Sequence, residues 1–343
     1  MPQPVTQPWY SPPGFLEENS MPYVSIVLNR RARIRVTFLA CLLWAGAALA
    51  QTAPPATTQQ GAGRGGFVPL PVVIGPPAPV PPDVVIPRPT SAELMQVNAA
   101  VKTFIDGDTS SNKPLLKKFE SLLMLQPARK NVAATFTQTA QRQGPRHLGF
   151  VDVAKQGNID LLLDGDSITD WWVQGEANKA MFDKYFGGMR TANFAVAGDT
   201  TQGVLWGLAN GEGQGFQPKA IMLMIGTNNG GNTGPEIAEG VGAVVLEMRH
   251  DFPNAKILLL AIFPRGVPGD PIRDKLAEAN RMISRLDDQK NVFFLDIGAK
   301  FLDDQGVLLP ETFRPDNLHP AAKGYDIWGQ AVQETLARLM KLP

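Results

Sequence analysis

From about residue 145 onward the chain alternates between short apolar runs and longer stretches in which apolar residues recur every three or four positions. The runs fall at 159–163, 192–196, 220–225, 257–262 and 292–295. The periodic stretches that follow them fall at 176–185, 200–209, 235–248, 271–286 and 321–340. A strand that reads as a continuous apolar run is buried on both faces, and regular alternation with helices indicates a parallel sheet between helical layers. The pattern predicts an α/β fold over residues 145–343, a three-layer α/β/α sandwich on a five-stranded parallel sheet. In such sheets ligands bind outside the carboxyl ends of the strands, so the polar residues standing there are the candidates for chemistry.

The pattern differs upstream. Thr90-Ser91-Ala92-Glu93 is a capping-box sequence, and Leu94, Val97, Val101 and Phe104 follow it on one helical face. A second helical run is expected over 115–125, opened by Pro114, and a third over 133–143, so that residues 90–144 form a helical extension carrying no chemistry. Residues 51–89 are dominated by Pro, Gly, Gln and Thr, and read as an extended, solvated linker with too little apolar surface to fold. At the start, Arg30, Arg31, Arg33 and Arg35 precede an apolar run over 36–49 that closes on Ala48-Leu49-Ala50. A basic segment, a short apolar stretch and a small-residue cleavage site make residues 1–50 a secretory signal peptide, with Met21 as an alternative start. The run is shorter than the roughly 20 residues a membrane span takes, so no stable span is expected after processing.

Composition narrows the class. Lys+Arg 32 balances Asp+Glu 32, leaving no positive field for a nucleic-acid backbone. The single cysteine, Cys41, lies within the apolar leader, and with three histidines in the whole chain a Cys/His metal site is not supported. Cleavage after Ala50 would remove four basic and two acidic residues and leave an exported, cysteine-free chain. Gly211-Glu212-Gly213-Gln214-Gly215 lacks the strand–turn–helix setting and the lysine of a phosphate loop, so neither a nucleotide cofactor nor a metal is expected.

At the strand ends stand four short motifs. Gly165-Asp166-Ser167 follows the first run and can present a serine hydroxyl to the crevice. Gly198 follows the second, where a glycine lets the backbone N–H approach a substrate, although a turn capped by Asp199 or Thr200 would read the same. Asn228 and Asn229 follow the third. Asp316-Asn317-Leu318-His319 enters the last helix with a spacing that sets a carboxylate against imidazole Nδ1 and leaves Nε2 free, the orienting half of a Ser-His-Asp arrangement. His147 precedes the first strand and His250 ends a helix beside Asp251, so both are poorer bases.

Taken in order, Ser167, Gly198, Asn228 and His319 with Asp316 resemble the four blocks of the SGNH (GDSL-type) hydrolase superfamily, whose fold is flavodoxin-like. More narrowly, residues 195–201, Val204-Leu205-Trp206, Gly226-Thr227-Asn228-Asn229, Phe263-Pro264-Arg265-Gly266 and Lys323-Gly324-Tyr325 resemble the catalytic subunits of intracellular platelet-activating-factor acetylhydrolase and their exported bacterial relatives. Gly203 and Gly207 depart from that group, which often carries larger polar or basic residues there. The resemblance implies a serine esterase with Ser167 as nucleophile, His319 as base and Asp316 as its orienter. It also implies an oxyanion hole from the N–H groups of Ser167 and Gly198 and the carboxamide of Asn228. Trp171, Trp172, Thr200 and Asn229 are the candidate pocket residues. The expected substrate is a short, acetyl-type ester on a small molecule or a carbohydrate, and the group's members form dimers, so a homodimer is implied. A lipase or thioesterase is the alternative within hydrolases; a non-catalytic glycan-binding module is the alternative outside them.

Overall fold

The computed structural model of the chain describes residues 73–341; the signal peptide expected at 1–50 and the first part of the 51–89 stretch lie outside the described residues. The upstream segment forms α1 (Ser91–Gly107), α2 (Lys113–Lys118) and α3 (Glu120–Leu123), then α4 (Gly144–Lys155) leads into the sheet. There follow β1 (Leu161–Gly165), α5 (Ser167–Asp170), α6 (Glu176–Phe186), β2 (Thr191–Asn193), α7 (Thr201–Gly207), β3 (Ala220–Met224) and α8 (Gly234–Asp251). The chain ends with β4 (Lys256–Leu260), α9 (Pro271–Ile283), β5 (Val292–Leu295) and α10 (Ala322–Leu339).

All five strands are parallel, in the order β2-β1-β3-β4-β5. Alternate residues serve opposite faces, as a period of two requires. Leu162, Ile221, Leu223, Ile257 and Leu259 belong to one buried cluster, whereas Leu161, Leu163, Met222, Leu258 and Leu260 belong to the other. The first cluster packs beneath residues of α4, α7, α8 and α9, the second beneath α6 and α10, where Trp172, Tyr325 and Trp328 are fully buried together. The chain leaves β1 toward β2 on one side and crosses to β3 on the other. The loops after β1 and β3 therefore diverge and open a crevice at the carboxyl edge.

The strands and their helices fall where the apolar pattern puts them. Upstream, three expectations change. Residues 73–89 are not a solvated linker: Ala78 N–H bonds Ala134 O at 2.9 Å, Gly75 N–H bonds Thr137 Oγ1 at 2.9 Å, and Val84 is fully buried against Gly242 of α8. Arg88 closes the segment with a fork onto Glu239, its Nη1 and Nη2 at 2.7 and 2.5 Å from the two carboxylate oxygens. Proline removes donors but leaves carbonyls and apolar rings, and here another surface supplies what the segment cannot supply for itself. The helix expected over 133–143 is a single 3₁₀ turn, Val132–Ala134, after which Thr135 pairs with Pro77. Pairing across the chain outweighs the local periodicity. Finally, the run at 115–125 is split into α2 and α3, and the face of α1 expected to be apolar stays largely open, with Phe104 71% exposed and Ile105 buried instead.

Candidate active site

A helix N-cap and the sheet register set the site's frame. Asp166 is the N-cap of α5, its Oδ1 accepting the N–H of Ile168 at 3.0 Å, so Ser167 opens a one-turn helix directly beyond β1. That turn is tied down on both sides. Tyr325 of α10 donates its hydroxyl to Ile168 O at 2.8 Å, and Asp170 Oδ2 accepts the N–H of Ala197 at 3.1 Å. Arg146 of α4 holds Asp170 and Ala195 O together, so the serine turn and the loop after β2 move as one piece.

His319 reaches Ser167 from 152 residues away, with Nε2 2.8 Å from Oγ. Its Nδ1 lies 2.7 Å from Asp316 Oδ2, while Asp316 Oδ1 accepts the N–H groups of Leu318 at 2.9 Å and His319 at 3.0 Å. Asn317 between them takes φ 53°, a left-handed conformation that Asn tolerates, and this folds the carboxylate back onto the ring. Partial burial raises the Asp316 pKa, but the His319 N–H, the imidazole and the Leu318 N–H outweigh it and hold the carboxyl below its ordinary value. An ionised carboxylate only accepts, so it fixes the ring proton on Nδ1 and leaves Nε2 to accept from the serine hydroxyl. Trp171 stacks on the imidazole at 3.9 Å between ring centroids, and the Arg314 guanidinium lies 4.5 Å from the same indole. Tryptophan thus walls the base while a cation covers the wall.

Three candidate donors follow β1, β2 and β3. Gly198 has φ 77°, which lets the loop turn its backbone where a side chain would be strained. The N–H groups of Ser167 and Gly198 donate to no group among the described residues. Asn228 Nδ2 gives one of its two hydrogens to Asp199 O at 2.9 Å, which orients the second. Asn228 and Asp316 border one cleft of about 450 Å³, together with Thr227, Arg265, Asp270 and Ile272.

Beneath the loop after β2 lies a buried charge network. Arg142 is fully buried; its Nε bonds Asp199 Oδ2 at 2.7 Å, its Nη2 bonds Asp164 Oδ1 at 3.0 Å, and its Nη1 bonds Glu212, whose other oxygen meets His147 Nδ1 at 2.8 Å. Three buried carboxylates share one guanidinium. Burial, resisted by Arg142 and reinforced by Glu212, accordingly pushes Asp164 up to about 7. Asp166 is also pushed up to about 7, by burial first, with the Ile168 N–H opposing it and Asp199 adding to it. A Cβ at Gly207 would sit 2.6 Å from Glu212 Oε2 and 2.7 Å from Arg142 Cδ, and one at Gly203 would overlap Asp199 Oδ1. Those two departures from the resembled group make room for this network.

Of the candidate pocket residues, Trp171 is at the site, whereas Trp172 and Asn229 are engaged away from it. Trp172 is fully buried against Phe186, Tyr325 and Trp328. Asn229 is buried and serves α7, accepting from Thr201 N–H at 3.2 Å and donating to Gln202 at 3.0 Å. Thr200 encloses its hydroxyl without a partner among the described residues. The sequence reading missed Arg142, Asp164, Glu212 and His147 as one network. Asp164, a charge at the end of an apolar run, is the one visible sign of it. It also missed Gln141, whose side chain lies against Gly198, although residues 90–144 were expected to carry no chemistry. Away from the cleft, Glu247, His250 and Asp251 bring donor atoms within 4.8 Å at the end of α8, with His250 exposed. No helix among the described residues is long and apolar enough to cross a membrane.

A serine, an imidazole and a carboxylate in one hydrogen-bonded line at the carboxyl edge of a parallel sheet are the marks of an ester-hydrolysing enzyme of the serine type. Residues 165–327 match the GDSL-like Lipase/Acylhydrolase family. The chain belongs to that family and, through it, to the SGNH hydrolase superfamily. It is 34% identical over 216 residues to platelet-activating factor acetylhydrolase IB subunit alpha2 of Rattus norvegicus, covering 63% of this chain and 92% of that protein. The subunit alpha2 of Gallus gallus is 36% identical over 183 residues, covering 53% and 78%. Among solved structures, an acetylxylan esterase from Geobacillus stearothermophilus superposes with a TM-score of 0.43 at 20% identity, covering 53% of this chain and 94% of that one.

Proposed function

We propose that the protein is an exported esterase that removes short acyl groups, acetyl foremost, from a carbohydrate or other small alcohol through an acyl-enzyme. The observation that carries the reading is the continuous line from Ser167 Oγ through His319 to Asp316, at 2.8 and 2.7 Å. Ser167 attacks the ester carbonyl as His319 Nε2 takes its proton, and Asp316 stabilises the imidazolium. The oxyanion is met by the N–H groups of Ser167 and Gly198 and by Asn228 Nδ2, each such donor being worth about 10²–10³ in rate. Collapse expels the alcohol, which takes the proton from His319. Water, deprotonated by the same imidazole, then attacks the acyl-serine, releases the acid and restores the hydroxyl.

The short acyl group is supported by the acetylhydrolase name of the similar proteins. Export is supported by the basic and apolar leader ending at Ala50. The test is a panel of 4-nitrophenyl esters from acetate to palmitate, with acetylated xylan and acetylated monosaccharides, on protein whose mature N-terminus is sequenced after expression in a secreting host. Highest kcat/KM at acetate and a terminus near Gln51 support the reading. A maximum at long chains, or an uncleaved leader, contradicts it.

A further inference from the structure

Two hydrogen bonds hold the His319 imidazole at its edges, from Nδ1 to Asp316 and from Nε2 to Ser167. Bonds at the edges of a ring leave it free to tilt about the line that joins them. Water also competes at the Asp316 end, where the side chain is 44% exposed. A base must keep its place while its partner changes from serine to alcohol to water, and a displacement of about 1 Å can cost 10² in rate. A contact on the face of the ring removes the tilt that the edge bonds allow.

Trp171 makes that contact. It closes the turn that Ser167 opens, its N–H donating to Ser167 O, and positions four apart in such a turn share a face. The nucleophile and the indole therefore meet His319 together, one at its edge and the other on its face. The ring centroids are 3.9 Å apart and the planes inclined by 27°. The backbone of Trp171 is itself tied down, its carbonyl accepting Asn178 Nδ2 at 3.1 Å and the Gln174 N–H at 3.2 Å. The indole N–H is buried and has no hydrogen-bond partner among the described residues, so contacts with the ring rather than a polar anchor set its orientation. Two of those contacts come from one loop. Arg314, whose N–H bonds His319 O at 2.8 Å, sets its guanidinium 4.5 Å from the indole centroid, and His319 supplies the stack.

Resting on the esterase reading above, we infer that Trp171 is a positioning residue: by stacking on His319 it keeps Nε2 in line with Ser167 Oγ through acylation and deacylation alike. It acts through the base and therefore affects turnover rather than substrate affinity.

The test compares the full-length enzyme with Trp171→Ala and Trp171→Phe on 4-nitrophenyl acetate, with rates counted per site titrated by an alkyl fluorophosphonate. An aromatic stack is worth a factor of up to about 12, so Trp171→Ala should lower kcat about tenfold. KM should stay within about twofold, because both chemical steps use the same base. The rate of fluorophosphonate labelling should fall with kcat, and Trp171→Phe, which keeps a ring on the imidazole, should recover most of both. The stack is also read without turnover. In protein carrying ¹³C-labelled histidine there are three imidazoles to resolve, and the His319 signal, identified by its loss in His319→Gln, should move downfield in Trp171→Ala as the indole ring current is removed. A tryptophan that only lines the substrate pocket would raise KM and leave labelling unchanged. One that only braces the fold would lower the number of titratable sites and leave turnover per site unchanged. Either result overturns the inference, as does a His319 signal indifferent to Trp171→Ala, while wild-type hydrolysis of 4-nitrophenyl acetate keeps the esterase reading in place. Absence of that hydrolysis would remove the esterase reading itself, and the inference with it.

Discussion

Asp316 does two separable things, and a single substitution divides them. Its Oδ1 accepts the N–H groups of Leu318 and His319, which shapes the loop, while Oδ2 faces imidazole Nδ1 at 2.7 Å, which sets the tautomer. In Asp316→Asn the carboxamide oxygen keeps the first task. Its Nδ2 then meets Nδ1 as donor against donor, so the ring proton moves to Nε2. An Nε2–H donates to Ser167 Oγ and can no longer accept from it. In a serine protease, where the equivalent aspartate is buried, this inversion costs about 10⁴ in kcat. Asp316 is 44% exposed, so water screens part of the lost charge, and a loss of about 10³ is expected here, or ~4 kcal/mol of barrier. Unfolding stability should change by less than about 1 kcal/mol, because both backbone caps survive. The assay is kcat on 4-nitrophenyl acetate beside equilibrium urea unfolding of the same preparations. Activity within tenfold of wild type at unchanged stability would refute the claim that Asp316 orients the base.

Three further outcomes follow from the same geometry. Asn228→Ala should lower kcat about 10²–10³-fold with little change in KM, since the carboxamide is aimed at charge that develops only in the transition state; a loss confined to KM would argue against it. Asp166→Asn keeps the N-cap but removes a carboxyl raised to about 7 in the fold from 3.8. A raised carboxyl stabilises the fold fully below pH 3.8 and loses that contribution as pH rises through about 7. Urea unfolding should therefore show the variant gaining on wild type between pH 4 and 7, by up to ~4 kcal/mol, and a constant difference would count against the buried charge. Val84→Ala should cost about 1–2 kcal/mol in a thermal or urea melt, because its methyls are enclosed against α8; a change below about 0.5 kcal/mol would return residues 73–89 to the status of a solvated spacer.

The parts legible from sequence are those in which a local pattern has a single physical reading. Five apolar runs can be buried on both faces only in a covered parallel sheet, and the three-residue spacing of Asp316 and His319 carries its own geometry. The Arg142 network is another matter: Arg142 meets Glu212 70 residues away, and nothing in either neighbourhood announces the other. Its one local trace, Asp164 at the end of a leucine run, reads equally as a strand terminus. The strap at 73–89 hid for a related reason, since Pro-rich composition reports that a segment cannot fold alone and says nothing of a surface waiting to cover it. Trp171 and Trp172 show the finest limit. Adjacent residues in one short turn point in different directions, so one stacks on His319 and the other fills the core.

The central claim, that Ser167 is activated by His319 to form a covalent acyl intermediate, is tested most directly by mass spectrometry of the enzyme after reaction with an alkyl fluorophosphonate. One stoichiometric adduct located on Ser167 is expected, formed at a rate that falls in parallel with hydrolysis in His319→Ala and absent in Ser167→Ala. An enzyme that hydrolyses 4-nitrophenyl acetate while remaining unlabelled at Ser167, or a Ser167→Ala variant with wild-type turnover, would contradict it.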